Sequence, residues 1–429
     1  MKRAVVVGSG AAGAAAAKAL QGAFSVTVLE RGGEFRPLGV SLKFVERLKR
    51  LGVLFDERLT GVLFPSMRIE RTDREMIHVR GLGTGGTTPL ATGNALRLDG
   101  NLRALGIDLD PEFAELGKEI PIHTDHRRLW NPVTEQVFET CAAMGLGPRP
   151  LPKMSDPARC VNCGRCVLGC PAGAKWDARH FLRDASERGA QVVTSCRVTG
   201  LRVEAGRAQG VVARRRGRRV FIPADIVILA AGGIGSPAIL ENSGIPCRPT
   251  LFVDPVLCVA AEWPEAMQNM DIPMPFVVDK EGFIIAPYFD YLSYFFNRAW
   301  KPKAEDTLSL MIKLADDSRG VVSKRSIRKS LTPADRERLN GAVRLCHDIF
   351  ARLGVPKERT FLGTLNAGHP GGMLPLTPAE AATLHSPALP ENVYVADPTL
   401  FPAALGRPPI LTIMALARKV CRTAAAKFA

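Results

Sequence analysis

The chain of 429 residues lacks any apolar run of the ~18 residues that a membrane-spanning helix needs. Its longest apolar tracts are short and end in glycine, as in Ile226 to Gly232, so no transmembrane span is expected, although peripheral membrane contact is allowed. It also lacks an acidic excess. Lysine and arginine number 57 against 42 aspartates and glutamates, a formal net charge of +15, which favours an acidic electron-transfer protein or partner subunit, anionic substrates or lipid head groups. Nucleic acid is not indicated: the densest basic run, Arg214 to Arg219, has no interleaved aromatic residues for base stacking and reads as a solvated hairpin tip. The opening MKRAVVVGSG has a strand pattern where a secretory leader would carry its charged stretch and apolar core. A cytoplasmic location is therefore expected, and disulfides are not. At 46% hydrophobic and 23% charged residues, the composition is that of an ordinary globular protein, long enough for two domains or one large discontinuous one.

Four of the ten cysteines fall in one stretch, Cys160, Cys163, Cys166 and Cys170, followed by Pro171. The spacing C-x2-C-x2-C-x3-C-P is that of the runs that hold [4Fe-4S] clusters in bacterial ferredoxins. Structural zinc and free or redox-switching thiols remain alternatives, but zinc sites usually split their ligands into two separated pairs. In two-cluster ferredoxins the last cysteine of such a run ligates the other cluster. There is no second run here, so either Cys170 closes the same cluster, the preferred reading, or a remote cysteine does, with Cys196 the nearest downstream.

Ala4 to Gly13 reads as a strand entering the glycine turn Gly8-Ser-Gly10-Ala-Ala-Gly13, then an alanine-rich helix. A second strand follows and ends in Glu30. Strand, G-x-G-x-x-G, helix and an acid at that distance form a dinucleotide-binding fingerprint. Gly8 makes the tight turn, Gly10 admits the pyrophosphate, Gly13 lets helix pack on strand, and Glu30 meets the adenosine ribose. A second glycine cluster, Gly83 to Gly93, places Thr87 and Thr88 beside Gly85 and Gly86, as a backbone lying against a flat or phosphorylated ligand would.

Residues 41 to 78 read as helix and then strand. After the cysteines, a helix is expected over 177 to 189, strands over 191 to 203, 208 to 214 and 219 to 223, then a buried strand, glycine turn and helix from Asp225. The aromatic residues of 283 to 296 read as sheet core or as a pocket lining. An amphipathic helix runs from Thr332 to Leu353, and the last helix follows Gly406-Arg-Pro-Pro409.

In this order the motifs resemble the glucose-methanol-choline (GMC) flavoprotein oxidoreductases, most closely their cholesterol-oxidase-like branch. The matching segments are 4 to 30, 80 to 96, 160 to 202, 224 to 245 and 366 to 420. The resemblance implies an α/β fold: a Rossmann-like three-layer FAD-binding domain assembled from 1–40, 80–110, 177–250 and 385–429, a cysteine-cluster segment at 111–176, and an α+β substrate or cap domain with an antiparallel sheet at 251–384. It implies FAD held by Gly8, Gly10, Gly13 and Glu30, with Gly85, Gly86 and Thr88 along the pyrophosphate and flavin. Val198 would meet the adenine through its main chain, Asp397 would lie near the pyrophosphate or ribityl chain, and Pro409 would start a helix aimed at the isoalloxazine. His369 matches the active-site histidine, the proton acceptor as hydride leaves the substrate carbon. The family's partner residue, usually asparagine or histidine, falls at Pro408, which has no side-chain hydrogen bond to give; Arg407 is the candidate to substitute for it electrostatically.

The expected protein is an FAD and [4Fe-4S] dehydrogenase taking hydride from a hydroxyl-bearing or saturated carbon of a small organic substrate, with electrons leaving singly through the cluster to an external carrier. The reverse direction is equally allowed. The alternative is an electron-transfer subunit without substrate chemistry of its own.

Overall fold

The apolar run Arg3–Val7 is the centre of a five-stranded parallel sheet whose order is Val393–Val395, Ile226–Leu229, Arg3–Val7, Ser25–Leu29, Gln191–Val193. Ala4 to Val7 and Ile226–Leu229 are continuous apolar stretches because they are covered on both faces. One cover is the helix Ala11–Ala19. Its alanines 12 and 14 to 17 are all buried, and their small side chains let it pack against the final helix, Ile410–Phe428, and against Arg179–Glu187. The computed structural model describes residues 1–38, 42–51, 64–72, 76–323 and 326–429.

The strand expected over 191 to 203 is in fact two. Ser195, at φ 53°, turns the chain, so that Gln191–Val193 closes the parallel sheet while Cys196–Glu204 joins Arg207–Arg215 and Arg218–Pro223 in a three-stranded antiparallel sheet. The basic run forms the tip between its last two strands, with Arg216 and Gly217 at positive φ.

A large mixed sheet makes the other half of the molecule. In order, its strands are Met67–Thr72, Met76–Gly81, Asn366–Ala367, Pro255–Glu262, Thr307–Leu314, Phe283–Pro287, Phe276–Lys280 and Arg149–Pro150, and Thr360–Leu362 also pairs with Pro255–Glu262. All pairs are antiparallel except Asn366–Ala367 with Met76–Gly81. Every residue of Thr307–Leu314 is buried. The helix Pro333–Arg352 packs on this sheet and opens with a capping box, in which Thr332 Oγ1 accepts from the Asp335 amide and the Asp335 carboxylate accepts from the Thr332 amide. The reading of 41 to 78 is met by the helix Leu42–Arg50 and the two strands Met67–Thr72 and Met76–Gly81. Its residues 41, 52–63 and 73–75 lie outside those described.

The stretch that carries the four cysteines, Cys160 to Cys170, has no strand of its own. It is an irregular loop with one short 3-10 turn, Cys166–Leu168. Gly164 and Gly169, at φ 65° and 99°, sit where a Cβ would come within 2.0 Å of Asn269 O and 2.8 Å of the Phe35 ring. Val167 and Leu168 are buried in a core shared with Phe64, Met274 and Tyr291.

Candidate active site

The two glycine clusters meet face to face. At Gly13 a Cβ would lie 1.9 Å from Gly8 O, so the first helix rests directly on its own turn, and at Gly8, φ 102°, a Cβ would lie 2.4 Å from Ala230 O. Gly10 differs: its nearest neighbour would be Gly86 Cα, at 3.8 Å. The helix beginning at Ala11 has no side-chain cap and starts beside the close approach of Gly10 to Gly86, the arrangement of amides and glycines that suits a pyrophosphate. Gly85 and Gly86 both need their positive φ of 88° and 57°.

Four of the expected cofactor residues are already committed within the protein. Glu30 follows the strand Ser25–Leu29 and accepts from Ser9 N at 3.2 Å, Ser9 Oγ at 2.5 Å and Gly32 N at 2.7 Å; burial, offset in part by these bonds, pushes its pKa up. Thr88 Oγ1 donates to Gly85 O at 2.7 Å and accepts from Ala178 N at 2.9 Å, so it braces the second loop instead of presenting a free donor. Asp397 takes Gly232 N, Ser236 Oγ, Thr399 N and Thr399 Oγ1, tying the turn after Ile226–Leu229 to the chain before the last helix. Val198 is buried and paired with Ala213. Pro409 is the N-cap of Ile410–Phe428 and not a member of its first turn.

His369 follows the strand Asn366–Ala367 in the left-handed region, φ 50°. Its Nδ1 stands 3.5 Å from Oδ2 of Asp254, itself at φ 46° and 1% exposed. Two non-glycine residues held at positive φ and facing each other are backbone strain of the kind that accompanies function. The same Oδ2 is 3.4 Å from Lys313 Nζ, and Oδ1 accepts from Gly406 N at 2.9 Å. Burial would raise the Asp254 pKa, but Lys313, His369 and the Gly406 amide together hold it below the usual carboxylate value. Burial, with help from the Lys313 charge, drives His369 down to about 4, so the imidazole is neutral at ordinary pH. Burial also holds His78 and His126 at about 4.

The sign of that effect gives a stability prediction. Below pH about 6.5 the unfolded chain takes up protons at these histidines that the folded chain refuses until about pH 4. Urea midpoints of the holoprotein should therefore fall as pH is lowered through this window; an unchanged or rising midpoint would contradict neutral histidines.

His369, Lys313 and Pro408 border a cavity of about 340 Å³ whose remaining wall is mostly apolar, including Phe64, Met67, Leu168, Tyr291 and Met311. The aromatic stretch thus serves as both core and lining: Phe289 and Tyr294 are core, whereas Phe295 and Phe296 line the cavity with Tyr291, which does both. Arg407 is not positioned to replace the residue missing at Pro408. Its guanidinium pairs with Asp279 and donates to Leu405 O at 3.2 Å, and it is not among the lining residues.

The described residues give no support to a metal site at the cysteines. Among the described residues no three of His, Cys, Asp and Glu are grouped to hold a metal ion, so Cys160, Cys163, Cys166 and Cys170 do not form a closed single-ion site. Cys170 stays with the group, its Sγ accepting from Lys175 N at 3.3 Å, whereas Cys196 is buried in its own strand with its amide on Glu30 O. Two buried lysines adjoin the loop. Lys153 Nζ donates to Asn94 Oδ1 and Pro273 O, and Lys175 Nζ donates to Thr88 O, Pro89 O and Ala91 O, each at 2.8 Å. Among the described residues neither has a carboxylate within ion-pair distance; the cysteine thiols are among the ionisable groups that act on them.

Asp254, Lys313 and the two loop lysines were not expected from the sequence. The one available signal was Lys313 itself, a lone cation in the apolar strand Thr307–Leu314.

Residues 100–256 match the family model described as GMC oxidoreductase. Over 97% of its length the chain is 28% identical to 98% of an uncharacterised protein of Methanocaldococcus jannaschii. It is 31% identical over 58% of its length to an uncharacterised GMC-type oxidoreductase of Mycobacterium tuberculosis, of which it covers 40%, and 22% identical over 65% of its length to a long-chain-alcohol oxidase of Arabidopsis thaliana, of which it covers 47%. It therefore spans less than half of the latter two and nearly all of the archaeal protein. The crystal structure of pyridoxine 4-oxidase from Mesorbium loti superposes with a TM-score of 0.74 at 18% identity, covering 98% of this chain and 99% of that one, and shows the same fold. Taken with the glycine cradle, these matches support an FAD-dependent oxidoreductase that is similar to the GMC-type oxidoreductases.

Proposed function

We propose that the chain transfers hydride between FAD and the hydroxyl-bearing carbon of a largely apolar small molecule, as a dehydrogenase that passes electrons to an external carrier. The observation that carries this reading is the neutral His369 at the rim of the apolar cavity, with Asp254 behind it. FAD supplies the hydride acceptor when bound in the Gly10/Gly86 cradle. Asp254 favours the tautomer with hydrogen on Nδ1, which leaves Nε2 to take the hydroxyl proton as the carbon gives up hydride. The mostly apolar cavity wall favours an apolar body.

Gly8, Gly13 and Gly85 shape the cradle, Glu30 and Val198 border the adenosine, Thr88 and Asp397 brace the loops around it, and Pro409 starts the helix behind the ring. The FAD-binding unit is 1–40, 80–110, 177–250 and 385–429, the cysteine segment 111–176, and the substrate unit 251–384. Placement near the cholesterol-oxidase-like branch rests on the order of the motifs.

A [4Fe-4S] cluster on Cys160, Cys163, Cys166 and Cys170 belongs to the same reading. A cubane spreads its thiolates wider than a single tetrahedral ion does, and its anionic core would favour the charged form of Lys153 and Lys175, two buried amines bonded only to neutral oxygens whose pKa burial pulls down. It would give reduced flavin a one-electron exit. Protein purified without oxygen should contain iron, sulfide and FAD, and Cys163→Ser should lose the iron while keeping the FAD. Iron retained in that variant would refute the ligand assignment; no iron in the wild type would refute the cluster and leave the hydride chemistry standing. A relay subunit without a substrate is disfavoured by the cavity at His369, and flavin reduction by a small alcohol alone would exclude it.

A further inference from the structure

We propose that Lys313 binds the substrate oxygen, taking the place that Pro408 leaves empty. The inference deepens the reading above and rests on its assignment of the cavity. Pro408 borders that cavity but has no donor, and Arg407 is spent on Asp279. Lys313 lines the cavity from the strand Thr307–Leu314, its side chain 3% exposed and flanked across the sheet by Val256 and Ile284.

Burying an ammonium in a strand that is otherwise apolar or hydroxyl-bearing is costly unless its charge and donors are used. Burial pulls the Lys313 pKa down, and Asp254, with Asp316 adding to it, opposes that pull and favours the ammonium; Asp254 is the one group within ion-pair distance of it among the described residues. An ammonium has three donors, so two remain for a ligand. Lys313 Nζ and His369 Nδ1 stand on the same Asp254 oxygen, which places an ammonium donor and a neutral imidazole acceptor at one end of one cavity. These are the two groups that an alcohol oxygen needs.

The step balances without a further reagent. With FAD bound in the Gly10/Gly86 cradle as hydride acceptor, the C–H bond would break with its electron pair leaving for the flavin, the O–H proton would go to His369 Nε2, and the C=O bond would form. Lys313 keeps its protons throughout. Its ammonium stabilises the negative charge that gathers on oxygen as the O–H bond breaks, and Asp254 keeps both groups in register. Removing a donor of this kind costs about 10²–10³ in rate.

The test uses the FAD-loaded full chain, octan-1-ol as oxidisable probe and octanamide as a non-oxidisable carbonyl probe. Lys313→Met should slow flavin reduction by octan-1-ol about 10²–10³-fold and weaken octanamide binding, read by the shift in flavin absorption, about tenfold or more. Lys313→Arg, which retains a cationic donor, should recover part of both. If Lys313→Met does not hold FAD, the double variant Lys313→Met, Asp254→Asn removes both buried charges and carries the octanamide measurement. Octanamide binding that is equal in wild type and variant, or absent in wild type, overturns the role of Lys313. Octan-1-ol that leaves wild-type flavin oxidised, with octanamide binding still dependent on Lys313, overturns the alcohol reading instead.

Discussion

His369→Asn is expected to retain FAD and to lose flavin reduction by alcohols about 10²–10⁴-fold, the usual worth of a positioned general base. Asparagine is the informative replacement because residue 369 sits at φ 50°, where asparagine is among the few side chains that sit without strain. Alanine would mix loss of the base with a change in the turn. The pH profile adds a second check. Since burial and Lys313 hold the imidazole at about 4, the base is already free at neutral pH, and the rate of flavin reduction should stay level as pH falls towards about 5 and drop only as His369 protonates near 4. A fall centred near the ordinary histidine value would mean that the ring is solvated and that the cavity is not as enclosed as its lining indicates.

The second large effect separates two glycines of one turn. Gly13→Ala would put a Cβ 1.9 Å from Gly8 O, which neither backbone can relieve without lifting the helix Ala11–Ala19 off the sheet. Insoluble or unfolded protein is the expected outcome. Gly10→Ala meets no protein atom nearer than 3.8 Å, so the chain should fold with nearly wild-type thermal stability. The added methyl nevertheless stands in the gap before the helix N-terminus, where the pyrophosphate would lie, and FAD affinity should drop about tenfold or more, roughly the loss of one good contact. Equilibrium FAD titration of the apoprotein reads it. Wild-type affinity in Gly10→Ala would show that the dinucleotide does not enter between Gly10 and Gly86.

These two cases show where the sequence is readable. Gly8, Gly10 and Gly13 act through the backbone immediately around them, so spacing alone carries the information, as it does for the Thr332–Asp335 capping box and the hairpin at Arg216 and Gly217. The boundary at Ser195 was missed because the residues on both sides share one alternating pattern, and only long-range pairing assigns Gln191–Val193 to one sheet and Cys196–Glu204 to the other. Thr88 and Asp397 had side chains suited to a ligand, but Gly85, Ala178, Gly232, Ser236 and Thr399 take up those groups first. Arg407 was a fair candidate until Asp279, 128 residues away in sequence, neutralised it. Asp254 immediately precedes the strand Pro255–Glu262 and Lys313 lies in its neighbour Thr307–Leu314, in a sheet whose register no local pattern encodes, and their meeting at His369 is visible only once the sheet is formed. The cysteine run is the reverse case: its spacing is plain in the sequence, while the loop that carries it is not gathered around a single ion.

The most direct measurement mixes anaerobic FAD-loaded protein with octan-1-ol and follows the visible absorption of the flavin. Bleaching by the wild type that is lost in His369→Asn, with FAD content equal in the two, is the predicted result. Bleaching at the same rate in both proteins would contradict alcohol oxidation at His369.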